Sequence, residues 1–302
     1  MNSPTWHIAG VGALGGALAS YFSKSGQSVN LILKTAEQLA LYQHTSLTVN
    51  DIVCHPQAID IEHLDKQPID HLICTVKAYD ITALLSRLKQ QLTEKSIVIL
   101  IHNGLGVLDE VIQQLPHLRI ISGVSTVGAY LDQPFSVRAL LAGKIYLGAA
   151  IGQFTPEEIN TICIAFEKAS LPFEWDDRIP LRMLEKFAVN CCINLLTVLF
   201  NCKNGALGQH PEIVKSLAHE VAEVLSQHGL HMTGMALLTK VTAIIQSTAN
   251  NYSSMIQDVR RHKPTELPYL NEYLVKLAKL QQIKTPVTNQ LLKAFRQRAT
   301  CI

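Results

Sequence analysis

The first half of the chain alternates short apolar runs with amphipathic ones. Runs at residues 5–9, 29–33, 71–76, 97–101 and 119–122 are brief and rich in aliphatic side chains, as strands are. The run Ile97-Val98-Ile99-Leu100-Ile101 has no polar position, which fits a strand covered on both faces. Between the runs, residues 14–25, 81–92 and 107–114 space their apolar positions as helices do, the first of them stopping at Gly26. Strands alternating with helices imply a parallel sheet with helices on both faces. Residues 124–148 break this rhythm. Turn residues at Asp132-Gln133-Pro134 and at Ala142-Gly143 predict a β-hairpin that extends the sheet. Thr155-Pro156-Glu157-Glu158 reads as a helix start, with proline at the first helical position.

From residue 180 onward strand signals fade, and helical patterns cover 180–200, 211–228, 233–248, 268–280 and 286–297. The first of these carries an anomaly. Lys186, Asn190 and Asn194 recur every fourth residue inside an otherwise apolar run. Four residues advance a helix by a full turn plus ~40°, so the three polar groups share one stripe. A solvated face is the plain alternative, since many amphipathic helices carry Lys and Asn outward. Two features weigh against it. The stripe is narrow, and its amides are mediocre helix formers with no obvious structural use in mid-helix. An ammonium set among Phe187, Ala188, Val189 and Cys191 is costly to bury unless it meets partners or a ligand. The stripe therefore reads as one wall of a polar cleft.

Composition narrows the function classes. The 302 residues are 48% hydrophobic, enough for a large core, and the formal charge of +2 gives no field that would recruit nucleic acid or an anionic membrane. The tightest basic run, Arg260-Arg261-His262-Lys263, reads as a solvated loop. Seven cysteines (54, 74, 163, 191, 192, 202 and 301) include no Cys-x-x-Cys pair, so no metal site is expected and a reducing compartment is. Residues 6–22 superficially resemble the core of a signal peptide, but no Lys or Arg precedes them; with Asn190 and Asn194 breaking the longest apolar run, a cytoplasmic protein without a membrane span is expected. Whether it works as a homodimer stays open.

Gly10-Val11-Gly12-Ala13-Leu14-Gly15 follows the first strand and opens the first helix. Gly10 permits the tight turn, Gly12 lets backbone approach a pyrophosphate, and Gly15 allows close helix–strand packing. The phosphates would sit at a helix N-terminus, where free N–H groups and the dipole favour anions. NAD binders commonly place an acid at the end of the second strand; this chain has Lys34, suited to a 2′-phosphate, with Glu37 three residues on. NADP(H) is the expected cofactor. Thr75-Val76-Lys77 and His102-Asn103-Gly104 end later strands of the same sheet, where open α/β sheets bind ligands, so Lys77 and Asn103 are candidates too. The expected fold is α/β: a Rossmann-type dinucleotide-binding domain at 1–176, then an all-α domain at 177–302.

Together these pieces resemble the ketopantoate reductases (2-dehydropantoate 2-reductases). The likeness runs over nearly the whole chain: Gly10-x-Gly12-x-x-Gly15, Thr75-Val-Lys77-Ala, His102-Asn103-Gly104-Leu-Gly106, Lys186-Phe-Ala-Val-Asn190-Cys-Cys-Ile-Asn194, Asn201-Cys-Lys-Asn204-Gly205, Asn251-Tyr-Ser-Ser254-Met-Ile-Gln-Asp258 and Thr265-Glu266. The resemblance implies a Rossmann domain followed by a helical domain, with the active site in the cleft between them, and NADPH-dependent reduction of ketopantoate to pantoate. It places the catalytic lysine at Lys186 and the essential glutamate at Glu266, which would bind the substrate hydroxyl. It makes Asn190, Asn194 and Ser254 substrate contacts, Asn251 a supporting one, and Asn103 and Lys77 part of the cofactor and substrate cleft. Ser254-Met-Ile-Gln257 also matches a capping box, which gives Ser254 a structural alternative. At Pro134-Phe-Ser-Val-Arg138-Ala139 the family's usual histidine is replaced, Ala206 stands where some relatives carry an acid, and Lys34 stands where arginine is frequent. These departures leave room for a paralogue that reduces another 2-oxo acid. A non-catalytic NADP(H) sensor would have been marked by loss of Lys186 or Glu266.

Overall fold

A computed structural model of the chain describes residues 4–140 and 143–299; Ala142 of the second turn signal and Cys301 lie outside the described residues. The chain divides into two compact units. One comprises residues up to His102 together with Val107–Pro180, and the other Asn103–Gly106 with everything from Leu181 onward.

The first unit opens with β1 (Thr5–Ala9), α1 (Ala13–Lys24), β2 (Ser28–Leu33) and α2 (Ala36–Thr45). Three short strands follow, β3 (Leu47–Val49), β4 (Ile52–Cys54) and β5 (Gln57–Asp60), then β6 (His71–Cys74), α3 (Ala78–Arg87), β7 (Ile97–Ile101), α4 (Val107–Gln114) and β8 (Arg119–Ser125). It closes with β9 (Gly128–Gln133), β10 (Ser136–Leu140), β11 (Ile145–Ile151), α5 (Pro156–Lys168) and β12 (Phe173–Trp175). Eight strands form one sheet in the order β12-β11-β8-β7-β6-β1-β2-β5, parallel throughout except where β11 runs against β8. Every residue of β7 is buried, as its unbroken apolar run requires. α5 begins where the sequence signature predicts, and the Thr155 side chain and Glu158 close a reciprocal cap there.

The hairpin is a correction. β9 and β10 do pair antiparallel, but they join β3 and β4 in a separate four-stranded sheet instead of extending the large one. Burial explains the choice. In β10 only alternate residues, Val137 and Ala139, are buried, so the strand has one apolar face and cannot serve in a sheet covered on both sides. That face covers α1: a Cβ on Gly16 would come within 2.9 Å of Val137 and 3.3 Å of Leu47. The strand that does extend the large sheet is β11, whose Ile145 and Leu147 are fully buried.

The second unit is built from α6 (Ile179–Leu199), α7 (Pro211–Ser226), α8 (Gly234–Ser247), α9 (Ser254–Arg260), α10 (Asn271–Leu280) and α11 (Pro286–Ala299). Phe187, Ala188, Cys191, Cys192, Leu195 and Leu196 of α6 are buried and share one core with Leu217 and Val221 of α7, Val241 of α8, Leu274 of α10 and Leu292 of α11. No helix among the described residues is long and apolar enough to cross a membrane.

One buried charge ties this unit together. Glu220 of α7 accepts from the backbone N–H of Val287 at 2.9 Å and of Thr288 at 2.8 Å, and from the Thr288 hydroxyl. Pro286 has no N–H to offer, so these are the first amides of α11, where a carboxylate also meets the positive end of the helix dipole. Glu220→Ala leaves both amides without that acceptor and should cost about 3 kcal/mol, the upper range for bonds to a charged group. Denaturant unfolding should register that loss. Glu220→Gln, which retains an acceptor oxygen, should lose less.

Candidate active site

In the first unit the glycine turn takes the form its sequence demands. Gly10 has φ +90°, and a Cβ there would lie 2.5 Å from the Val76 nitrogen. A Cβ on Gly15 would lie 2.3 Å from both the Gly10 carbonyl oxygen and the Thr75 hydroxyl. Thr75 donates that hydroxyl to the Gly10 carbonyl at 2.7 Å, which locks the turn to the end of β6. Gly12 differs: a Cβ there would meet nothing nearer than 3.9 Å. Its openness, with no side chain capping α1 and no acid in the first turn, makes room and charge for a pyrophosphate. Val11, Ala13 and Leu14 share this half-buried turn. Lys77 is half-buried at the N-cap of α3. Lys34 is exposed beyond β2, and its ammonium sits 3.2 Å from the Asp80 carboxylate.

In the second unit the stripe on α6 is no solvated face. Phe187, Ala188, Val189, Cys191, Cys192 and Ile193 are all buried around it, Asn194 is buried too, and Lys186 and Asn190 are half-buried. Burial of the Lys186 ammonium pushes its pKa down to about 8, although part of the side chain stays accessible; the negative charge of Glu266 acts the other way. Glu266 is only 4% exposed. It accepts from the Asn103 amide at 3.2 Å.

The loop carrying Asn103 is held from both ends. Gly104 and Gly106 have φ +89° and +93°, and a Cβ on either would collide with Tyr269 or Tyr273. Between them the Leu105 N–H donates to the Tyr269 carbonyl at 2.9 Å. Tyr269 closes the 3-10 turn that begins just after Glu266, so the glycine loop and the glutamate are anchored on the same short segment.

The structure thus brings Lys186, Glu266 and Asn103 into one electrostatic group. Asn251 and Ser254 are exposed, one before α9 and one at its first residue. The capping alternative for Ser254 is overturned: the N-cap is Ser253, whose hydroxyl accepts from the Ile256 N–H. Ser253 is buried, and its hydroxyl lies 2.6 Å from that of Thr197, which itself donates to the Asn194 carbonyl at 2.7 Å. This chain of hydroxyls fixes the start of α9 to the stripe helix. The sequence reading missed Ser253 and Thr197, although a Ser-Ser pair ahead of an apolar turn was the available signal.

Residues 6–152 match the family described as ketopantoate reductase PanE/ApbA, and residues 178–299 match its C-terminal part. A 2-dehydropantoate 2-reductase of Salmonella typhi is 30% identical over 96% of this chain and 94% of its own length. One of Vibrio cholerae is 29% identical over 96% of each. The chain belongs to the ketopantoate reductase family. Among solved structures, a D-mandelate dehydrogenase bound to NADH and anilino(oxo)acetate superposes with a TM-score of 0.89 at 21% identity over 97% of both chains. A putative 2-dehydropantoate 2-reductase from Enterococcus faecalis gives 0.70 at 24% identity over 97% of both chains. These two establish the fold, which is the α/β unit followed by helices that the sequence predicts.

Arg138, beside the missing histidine, donates to Asp51 at 2.5 Å and to Asp132 at 2.9 Å on the exposed side of the small sheet. It serves there as a strap between strand β9 and the turn that carries Asp51.

Proposed function

We infer that this chain reduces 2-dehydropantoate to pantoate with NADPH, the step that supplies pantoate for pantothenate synthesis, in the cytoplasm. The observation that carries the reading is the Lys186–Glu266–Asn103 group, a lysine with a lowered pKa beside a buried carboxylate. When bound, the dinucleotide would supply a hydride for C2 of the oxo acid. As the carbonyl carbon gains that bond, its oxygen takes on negative charge and needs a proton.

Lys186 answers both needs. Its ammonium polarises the ketone and stabilises the developing alkoxide, then transfers a proton to it. A pKa near 8 keeps the group protonated at neutral pH while making it a better acid than an ordinary lysine. Glu266 holds charge balance at Lys186 and accepts from the substrate hydroxyl, while Asn103 orients the carboxylate. Asn190 and Asn194 hydrogen-bond the substrate along the α6 stripe, with Ser254 and Asn251 closing from the start of α9. On the cofactor side, Gly10 to Gly15 would cradle the pyrophosphate, and Lys34 and Lys77 would supply positive charge. A homodimer is compatible with this chemistry and required by none of it.

The test is NADPH oxidation with ketopantoate beside other branched 2-oxo acids. Turnover with another oxo acid and none with ketopantoate would keep the chemistry and replace the substrate, the outcome that the missing hairpin histidine favours. Nucleotide binding with no turnover at all would make the chain a sensor.

Lys34→Ala should weaken NADPH binding more than NADH binding, because only NADPH carries the 2′-phosphate. The difference should shrink at high salt, as for any exposed ion pair. Equal weakening of both nucleotides, read by titration, would remove Lys34 from the phosphate site.

A further inference from the structure

Lys34 and Asp80 belong to elements that flank the dinucleotide turn. The sheet order sets β2 and β6 on either side of β1. Lys34 directly follows β2, and Asp80 lies in the first turn of α3, the helix after β6. Their bridge, 3.2 Å from ammonium to carboxylate, therefore crosses the C-terminal end of β1, where the Gly10–Gly15 turn begins. The side chains are 64% and 39% exposed, so a ligand can reach both. The acid that the sequence places nearest, Glu37, sits in the first turn of α2, behind its Thr35 N-cap.

We propose that Asp80 is a specificity-determining residue that opposes Lys34. It competes with a 2′-phosphate for the lysine and offers its own carboxylate to a ribose 2′-hydroxyl, so the chain accepts NADH alongside NADPH and separates them only modestly. The proposal rests on the NADP(H) reading above. A dinucleotide fold that selects NAD does so with an acid beside the ribose, usually from the end of the second strand. Here the same chemistry arrives from the next helix across the site. To bind NADPH, Lys34 must leave Asp80, and a phosphate carrying nearly two negative charges must settle beside a carboxylate. Neither cost is large, because an exposed ion pair is worth at most about fivefold in binding.

The experiment is a fluorescence titration of the full-length wild type and Asp80→Asn with NADPH and with NADH, at low salt and without substrate. Asp80→Asn should tighten NADPH roughly three- to fivefold and loosen NADH roughly two- to threefold, since a neutral amide is a poorer partner for the hydroxyl. In the Lys34→Ala background the gain for NADPH should shrink, because no cation is left to release. Selective weakening of NADPH by Asp80→Asn would overturn the proposal and make Asp80 a support for Lys34. An unchanged ratio of the two affinities would overturn it as well, while leaving the reductase reading in place. Failure of the wild type to bind either nucleotide would end both. None of these outcomes depends on turnover, so the choice of oxo acid does not enter.

Discussion

Lys186→Ala should lower turnover by at least ~10²-fold, the usual effect of losing a general acid, with a further loss from the missing charge at the carbonyl oxygen. Affinity for NADPH should hardly move, since the glycine turn and Lys34 belong to the other unit. The fold should be kept, with stability near the wild type's, because two effects oppose: the lysine's desolvation is relieved, and buried Glu266 loses its counter-charge. The ammonium now pays a desolvation cost, shown by its depressed pKa, and alanine is a strong helix former for the middle of α6. Steady-state kinetics beside a thermal melt separates these effects. A variant that keeps its fold, binds NADPH and barely turns over is the expected phenotype; one that retains most of its turnover would reduce the stripe to helix surface.

The pH profile gives the same residue a second signature. The protonated lysine is the active form, so wild-type turnover should hold through neutral pH and decline as pH rises through about 8. The sign for stability is the opposite. The folded pKa lies below the ordinary lysine value of 10.5, so between about 8 and that value the unfolded chain binds more protons. Stability from this group therefore rises with pH in that window, just where activity is being lost. Loss of activity there cannot be read as unfolding, and a melt at each pH should make that plain.

Much of this was legible in the sequence because it is local. The glycine turn, the alternation ending in β8 and the stripe on α6 each depend on residues a few positions apart. What was not legible is what depends on distant partners. Residues 36–60 gave no signal because α2 buries only Tyr42, and β3 and β4 are three residues each. The hairpin pattern was readable, yet its destination was set by the small residues of α1 and by Leu47. Glu266 is the sharper case. The family resemblance placed it, but the sequence alone offered only an acid near the start of a helix. Its burial, its bond to Asn103 across 163 positions and its pull on the Lys186 proton exist only in the folded unit. Ser253 and Asp80 likewise matter through partners that no spacing rule connects to them.

Glu266→Gln should separate the charge of the glutamate from its shape. Glutamine fills nearly the same space and keeps an oxygen for the Asn103 amide, which now donates to a charged carboxylate at 3.2 Å. What disappears is the negative charge that raises the Lys186 pKa against burial. Without it burial acts unopposed, so the lysine pKa must fall and the alkaline decline in kcat/KM must move to lower pH than in the wild type. At neutral pH part of the enzyme population then has an uncharged lysine that can neither donate nor stabilise an alkoxide. The substrate hydroxyl also loses a charged acceptor, a bond of about 1.5–3 kcal/mol, so kcat/KM should fall by roughly one to two orders of magnitude. Lowering the pH should restore the part due to Lys186 and leave the part due to the hydroxyl. Glu266→Ala, which also takes the acceptor from Asn103, should be worse and should not recover at low pH to the same level. If the alkaline limb of Glu266→Gln stays where the wild type has it, the lysine does not feel this carboxylate, and the pairing on which the catalytic reading depends is wrong.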